Sequence, residues 1–423
     1  MRNRVRLRRE LACRKRPDVC APGNSHAPGA YPDGTRLAVG RRTPSIRLPM
    51  TPSRPNVRPT RPARAASFLA VPLLTGALAG APLHAQDAAD PVGPVFVEEI
   101  LAPGVYAALV VPRPDAYAFA NSLVVVGDDG VLVVDTQQSP RAARALIERI
   151  RAWTDLPVRW VVNTHWHGDH VYGNAAYREA WPQARFYATS ATLEGMRGPG
   201  AAMRAEELES LPASIDERQA WLEAGALPDG RELTDDLREQ VAYSLRLRSS
   251  YLAELRDLEI VEPDVLVDER LSVDVGGRRV VLHPMGSAHT EGDLAVEVPD
   301  AGVVAVGDLL EEAAPWIEGA YLEGWAGALA EVRSLRPSVV LPAHGGVARN
   351  PALLDGAAAL FDDLTRVAFR ERDRPTSDAI AAVTEALEAH RGFLATLGVA
   401  DTAFDRWAAE AARQAVEQAR DEG

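Results

Sequence analysis

The stretch Asn163-Thr164-His165-Trp166-His167-Gly168-Asp169-His170 follows directly on the β-branched run Val158–Val162 and gathers three imidazoles and a carboxylate where a strand is predicted to end. In an extended segment residues two apart face the same way, so His165 and His167 can reach one metal ion. A turn at Gly168 sends Asp169 and His170 toward a second position beside it. Zinc suits such donors, being a borderline ion that takes imidazole nitrogen and carboxylate oxygen. An isolated His-x-His reads more simply as a surface cluster, whereas the four-residue set after a strand meets the context that a metal motif requires.

Three more positions fit the same scheme. His289 lies in Gly286-Ser287-Ala288-His289-Thr290-Glu291-Gly292-Asp293, a loop between two predicted strands. Asp308 follows Val303–Val306 in Gly307-Asp308-Leu309, and His344 follows Ser338–Leu341 in Leu341-Pro342-Ala343-His344-Gly345-Gly346. Each alone reads as a cap or turn residue. Together they fall at strand ends or in the loops beyond, where a packed scaffold holds ligands rigidly.

Around these motifs the chain reads as one α/β domain. Strands are predicted at Val95–Ile100, Val105–Val111, Leu123–Val126 and Val131–Asp135, then at Val265–Val267, Leu271–Val275, Arg279–Leu282 and Leu294–Val298. Ser139–Trp153 reads as a helix with Ser139 as cap and Pro140 at its first position. Strand, helix and strand in succession indicate an α/β layer. Residues 192–257 change to charged helical segments, an insertion that is either a substrate lid or a satellite core. Its apolar set is Met196, Met203, Leu208, Leu211, Trp221, Leu222 and Leu227. A further helix carries Trp325, Leu329 and Val332, and residues 351–423 form a helical C-terminal extension.

The set His-x-His-x-Asp-His, His-Thr-x-Gly-Asp, Gly-Asp and final His-Gly resembles the metallo-β-lactamase-fold superfamily of hydrolases over about residues 95–350. The resemblance implies a four-layer αββα sandwich with metals in a cleft at one edge of the two sheets. It also implies that His165, His167 and His289 hold a first zinc, that Asp169, His170 and His344 hold a second, and that Asp308 bridges them. Asp135, ending Val131-Leu132-Val133-Val134-Asp135-Thr136, matches the family's aspartate that steadies the histidine loop, although a strand-end turn residue would look the same. His283 and His390 read as structural.

Two cations sharing one oxygen would turn a bridging water into a hydroxide nucleophile near neutral pH, so neither Ser nor Cys is needed. Asp169 is then also a catalytic candidate, orienting that hydroxide or accepting its proton. The expected activity is hydrolysis of a small ester, thioester, lactone or β-lactam. Asp308 stands where one major lactamase subclass uses a cysteine, and Leu309-Leu310-Glu311-Glu312 is acidic beside it, which suits a β-lactam carboxylate poorly. The alternatives are a mononuclear iron oxidoreductase of the same fold, similar to the persulfide dioxygenases, and a non-catalytic metal-binding or assembly protein.

Charge separates the N-terminus from the rest. Residues 1–85 hold 16 of the 46 basic residues and 3 of the 59 acidic ones, which leaves the remainder at −26. Such a body repels phosphate backbones, so a small-molecule substrate is expected and nucleic acid is not. Arg54, Arg58, Arg61 and Arg64 precede the apolar run from Ala65 to Leu83 and the small-residue site Leu83-His84-Ala85, the arrangement of a secretory signal over residues 50–85. Pro72, Gly76 and Gly80 interrupt that run and disfavour a permanent span, so membrane contact is expected only before cleavage. Residues 1–49 read as a disordered leader or as the product of a start codon upstream of the true Met50. Both cysteines, Cys13 and Cys20, lie there; the exported body has no disulfide, and its metal site rests on His and carboxylates. N-terminal sequencing of exported protein is expected to begin at Gln86, and a mature chain beginning at Met1 would contradict a cleaved signal.

Overall fold

Alternating burial along the β-branched runs sets the layers. In a strand, successive side chains point to opposite faces, so Leu123 and Val125 enter one core while Val124 enters another. A computed structural model describes residues 96–111 and 119–421, and the leader and signal read at 1–49 and 50–85 lie outside the described residues.

The first sheet runs in chain order through β1 (Phe96–Ala102), β2 (Val105–Val110), β3 (Ser122–Val126), β4 (Val131–Val134), β5 (Val158–Val162), β6 (Arg185–Ala188) and β7 (Val265–Leu266). β1 to β4 pair antiparallel with one another, whereas β4, β5, β6 and β7 pair in parallel. The second sheet has the order β12 (Val339–Pro342), β11 (Val303–Gly307), β10 (Asp293–Val298), β9 (Arg278–Gly286) and β8 (Leu271–Val275), with only β11 and β12 parallel. Parallel neighbours require crossovers. Helix α1 (Pro140–Trp153) supplies one, and Ser139 caps it, its hydroxyl accepting from the Ala142 N–H. Short helices α2 (Gly168–Val171) and α3 (Asn174–Ala180) supply the next.

Three apolar layers follow. Leu123, Val125, Leu132, Val134 and Val162 of the first sheet meet Val280, Leu282, Leu294, Val296, Val303 and Leu341 of the second in the central core. Val124, Val133, Val161 and Phe186 pack outward on Leu146, Ile147, Ile150 and Tyr177 of α1 and α3. On the far side, Val304, Val306 and Val340 pack on α7 (Leu322–Ser334), which carries Trp325, Leu329 and Val332. The molecule is therefore a four-layer αββα sandwich, as the motifs implied. Helices α8 (Ala352–Glu371), α9 (Thr376–Leu387), α10 (Arg391–Thr396) and α11 (Asp401–Asp421) continue that outer core through Leu360, Phe361, Val383, Leu387, Phe404 and Val416.

Two elements escape the sequence pattern. β6, Arg185-Phe186-Tyr187-Ala188, is too short to show alternation, and α3 lies between polar turns. β9 also extends past its predicted end through Pro284 to Gly286. Proline is tolerated there because β8 ends opposite Leu282, which leaves the flank of β9 beyond it unpaired on that side.

The insertion consists of α4 (Ser190–Arg197), α5 (Pro199–Ala224) and α6 (Asp235–Asp257). Met196, Leu211, Tyr251, Leu252 and Leu255 pack with Trp166, Val171 and Tyr172 in a separate core, and Leu208 lies against it. Met203 stays exposed, and half-buried Trp221 lies under the Arg218 guanidinium, so the apolar set divides between packing and surface. Contact between α4 and the histidine loop is close, for a Cβ on Gly195 would stand 2.1 Å from Trp166 Cδ1. Gly195→Ala is expected to lower stability in denaturant titration by about 1–3 kcal/mol through overpacking. Gly327→Ala, where nothing lies within 4 Å in α7, should instead be neutral or stabilising. Equal stability of the two variants would show that the insertion does not clamp Trp166.

Candidate metal centre

The parallel strands of both sheets deliver their C-terminal ends to one edge, and the candidate ligands are on the loops that leave it. Asp135 follows β4, His165 to His170 follow β5, His289 follows β9, Asp308 follows β11 and His344 follows β12. This is the edge at which α/β sheets generally place their sites.

Two groups of donors form there: His165, His167, His289 and Asp308, and beside them Asp169, His170 and His344. All seven residues singled out from the sequence are thus brought together. In the first group His167 Nδ1 lies 3.0 Å from both His165 Nε2 and His289 Nε2, while Asp308 Oδ2 lies 3.6 Å and 3.3 Å from the same two nitrogens. In the second, Asp169 Oδ2 lies 3.3 Å from His170 Nε2 and 3.1 Å from His344 Nε2. Asp308 Oδ1 faces that group, at 3.4 Å and 3.6 Å from the same nitrogens. One oxygen of Asp308 therefore belongs to each group.

These separations are those of donors around a metal. Tetrahedral zinc with ligands at about 2.0–2.1 Å sets neighbouring donors about 3.3 Å apart. His170 Nε2 and Asp308 Oδ1 are buried without a hydrogen-bond partner, a costly state unless a cation meets them. Charge points the same way. Burial holds His165 well below the usual imidazole range and takes His289 down to about 3, so both offer lone pairs. Burial also disfavours charge on His170 and His344, but the Asp169 and Asp308 carboxylates outweigh it and raise both imidazoles well above their usual range. That part of the site draws positive charge, which a divalent cation would supply. Burial pushes Asp308 upward, yet His170, His344 and His165 together hold it well below the carboxylate range.

The ring orientations are fixed from behind. Asp135 Oδ1 accepts the Thr164 N–H at 2.8 Å, and Oδ2 accepts the Thr164 hydroxyl at 2.8 Å and faces His170 Nδ1 at 2.9 Å. Thr164 Oγ1 lies 3.1 Å from His165 Nδ1. Both rings consequently turn Nε2 toward the site. Two indoles back the other histidines: Trp166 meets His167 edge-on at 4.3 Å between centroids, and Trp325 meets His289 at 5.4 Å. The His289 loop is closed by Asp293, which accepts from the N–H and the hydroxyl of Thr290.

Several supports gave no sequence signal. Asn121 donates through Nδ2 to the carbonyls of Pro342 and Gly345 at 3.0 and 2.8 Å, and so anchors the His344 loop. It lies 221 residues away in the chain from Pro342, with no motif around it. Asn174 braces the first loop by exchanging hydrogen bonds with Asn163. Its position four residues beyond His170, at a helix start, was its one available cue. His283 and His390 stand outside both groups, paired with Glu297 at 2.8 Å and Asp363 at 2.9 Å.

A family model for the metallo-beta-lactamase superfamily matches residues 117–344. Among solved structures, the chain is similar to the stereoselective inverting sec-alkylsulfatase Pisa1 from Pseudomonas sp., with 15% identity, 76% of this chain and 50% of that chain covered, and a TM-score of 0.54. It is also similar to a metallo-beta-lactamase from Pontibacter korlensis, with 17% identity, 63% and 99% covered and a TM-score of 0.44. A third likeness is to the metallo-beta-lactamase FIM-1 from Pseudomonas aeruginosa in its mono-zinc form, with 20% identity, 63% and 95% covered and a TM-score of 0.44. At 15% identity the likeness to the alkylsulfatase speaks for the fold alone. The family match spans more than half of the 423 residues and includes six of the seven clustered donors from the histidine loop through Asp308 as well as His344 at its end, and this chain belongs to the metallo-β-lactamase superfamily.

Proposed function

We propose that the protein is an exported dinuclear zinc hydrolase of small esters, thioesters, lactones or β-lactams, cleaving by direct attack of water. The observation that carries this reading is Asp308, whose two oxygens face separate groups of imidazole and carboxylate donors. His165, His167 and His289 with Asp308 Oδ2 would hold one cation, and Asp169, His170 and His344 with Oδ1 the other. Two divalent cations in such a site supply Lewis acidity and a water acidified toward neutral pH.

The chain's own residues do the rest. Asp135 and Thr164 keep His165 and His170 in one orientation, so little reorganisation is needed when substrate enters. Asp169 and His344 are the more open members, with side chains 13% and 21% exposed, so substrate approaches from the second group. On that face the Asp169 carboxylate is placed to orient the attacking water and take its proton. The remaining donors are buried, which keeps bulk water from competing. The acidic Glu311-Glu312 pair beside this face favours esters, thioesters and lactones over carboxylate-bearing β-lactams. Export is supported by the charged and apolar pattern of residues 50–85, and a small-molecule substrate by the acidic body.

Metal analysis of the purified protein is expected to give close to two zinc equivalents. Asp308→Ala should lose metal and cut kcat/KM by more than the roughly 10–100-fold typical of an outer supporting residue, with the fold kept. Full metal content and turnover in that variant would refute the bridging assignment. A panel of neutral esters, thioesters, lactones, β-lactams, phosphodiesters and alkyl sulfates should show chelator-sensitive turnover strongest among the first three. If the zinc-loaded protein turns over only phosphodiesters or alkyl sulfates, the substrate assignment fails while the metal assignment stands.

A further inference from the structure

His344 differs from its neighbours in what stands behind its ring. His170 Nδ1 faces Asp135 Oδ2 at 2.9 Å and His165 Nδ1 faces Thr164 Oγ1 at 3.1 Å, so each of those rings is held on the side away from the donors it meets. Among the described residues no hydrogen bond reaches His344 Nδ1, and its side chain is 21% exposed. A metal-binding histidine normally gives its second nitrogen to such a partner. The placing of the His344 ring therefore depends on its backbone.

On either side of His344-Gly345-Gly346 that backbone is fixed by main-chain bonds. The Ala343 N–H donates to the Gly307 carbonyl at 3.0 Å, and Val340 and Ala348 exchange both of their hydrogen bonds at 2.8 and 2.9 Å. Between these points lie two glycines in succession, the residue type with most backbone freedom to lose, and Gly345 has φ of 100°. Asn121 holds the Gly345 carbonyl. The two residues around it are held by Glu312, whose N–H donates to the His344 carbonyl at 3.1 Å and whose Oε2 accepts the Gly346 N–H at 2.7 Å. A Cβ on Gly345 would collide with the Glu312 side chain, so the two segments lie in direct contact. Helix α11 steadies the residues that follow Glu312: Trp407 Nε1 donates to the Pro315 carbonyl at 2.8 Å and Gln414 Nε2 to that of Ile317 at 2.6 Å.

We propose that Glu312 is the positioning residue of the second cation: its carboxylate, by gripping the Gly346 N–H, holds His344 beside Asp169 and His170 and sets that cation's affinity separately from the first. This rests on the dinuclear reading above and assigns control of its second half. Without the grip, the glycine pair gains freedom that metal binding must then remove, and the affinity falls by that entropy. The first group is spared, because His165, His167 and His289 are buried on other loops with supports of their own.

Titration of metal-free protein with zinc against a chromophoric chelator is expected to resolve two steps, and the step that His344→Ala abolishes marks the second cation. Glu312→Ala should weaken that step by about 10–100-fold and leave the other within about twofold. Glu312→Gln keeps an oxygen that can accept the Gly346 N–H and should stay within about threefold of the wild type. Tyr321→Phe, which removes only the hydroxyl bonded to Glu291 on the His289 loop, should leave the second step unchanged. Because Glu312 is exposed, metal-free Glu312→Ala should melt with the wild type. An unchanged second step in Glu312→Ala, an equal loss in both steps, or an equal loss in Tyr321→Phe overturns the positioning role. So does a loss in Glu312→Gln as large as in Glu312→Ala, which would make the effect one of charge, or a metal-free Glu312→Ala that melts well below the wild type. Each of these leaves the dinuclear reading standing, whereas a wild type that takes up fewer than two zinc equivalents removes that reading and this inference with it.

Discussion

The Asp135 carboxylate is the constraint on which the site depends. It lies at the end of β4 with φ of 62°, a left-handed conformation that a residue with a Cβ adopts at a cost of about 1–3 kcal/mol. The neighbouring bonds over-determine that conformation: its N–H donates to the Val162 carbonyl, its own carbonyl accepts the Ser122 hydroxyl, and its carboxylate holds Thr164 and His170. One strained residue thereby ties β3, β4 and the loop after β5 together. Strain of this kind persists where the surroundings support it and where geometry matters for function.

Further from the ligands, both helical layers act on the site through indoles. Trp166 is pressed between His167 and α4, so the insertion after β6 backs the first histidine loop. Trp325 is pressed between His289 and Phe361 of α8, its ring stacked on the phenylalanine at 4.2 Å and its Nε1–H donated to the Leu309 carbonyl. The C-terminal helices consequently serve the metal edge as well as the outer core. Through Trp407, Gln414 and Gln418 they also fix the rim that leads from Glu311 to Tyr321.

Electrostatics and sterics agree at this edge. Five imidazoles and two carboxylates share a nearly dry space, an arrangement that is poorly satisfied by protons alone because two ring nitrogens at 3.0 Å can share only one. Divalent cations would relieve the conflict by taking the place of the shared protons. Tight backbone approach allows the crowding: at Gly307, φ of 55° and a would-be Cβ 2.6 Å from Thr164 Oγ1 leave room only for glycine beside Asp308.

The sequence by itself determined the donors and most of the strands. Metal chemistry restricts ligands to a few residue types at short spacings, so His165, His167, Asp169 and His170 are visible as a local pattern, and β-branched alternation makes runs such as Val158–Val162 visible as strands. Short β6 and the extension of β9 through Pro284 were not legible, because pairing with neighbouring strands, rather than local preference, creates them. Only the tertiary structure decided which donors share a group, that Asp308 turns one oxygen to each, and that Asn121, Trp166 and Trp325 hold the loops in place. It also decided that the insertion packs on Trp166 and that Glu311 is buried with an unmet oxygen. Those facts arise from contacts between residues tens to hundreds of positions apart, and the order of residues along a chain carries no distance between them until the sheets have paired.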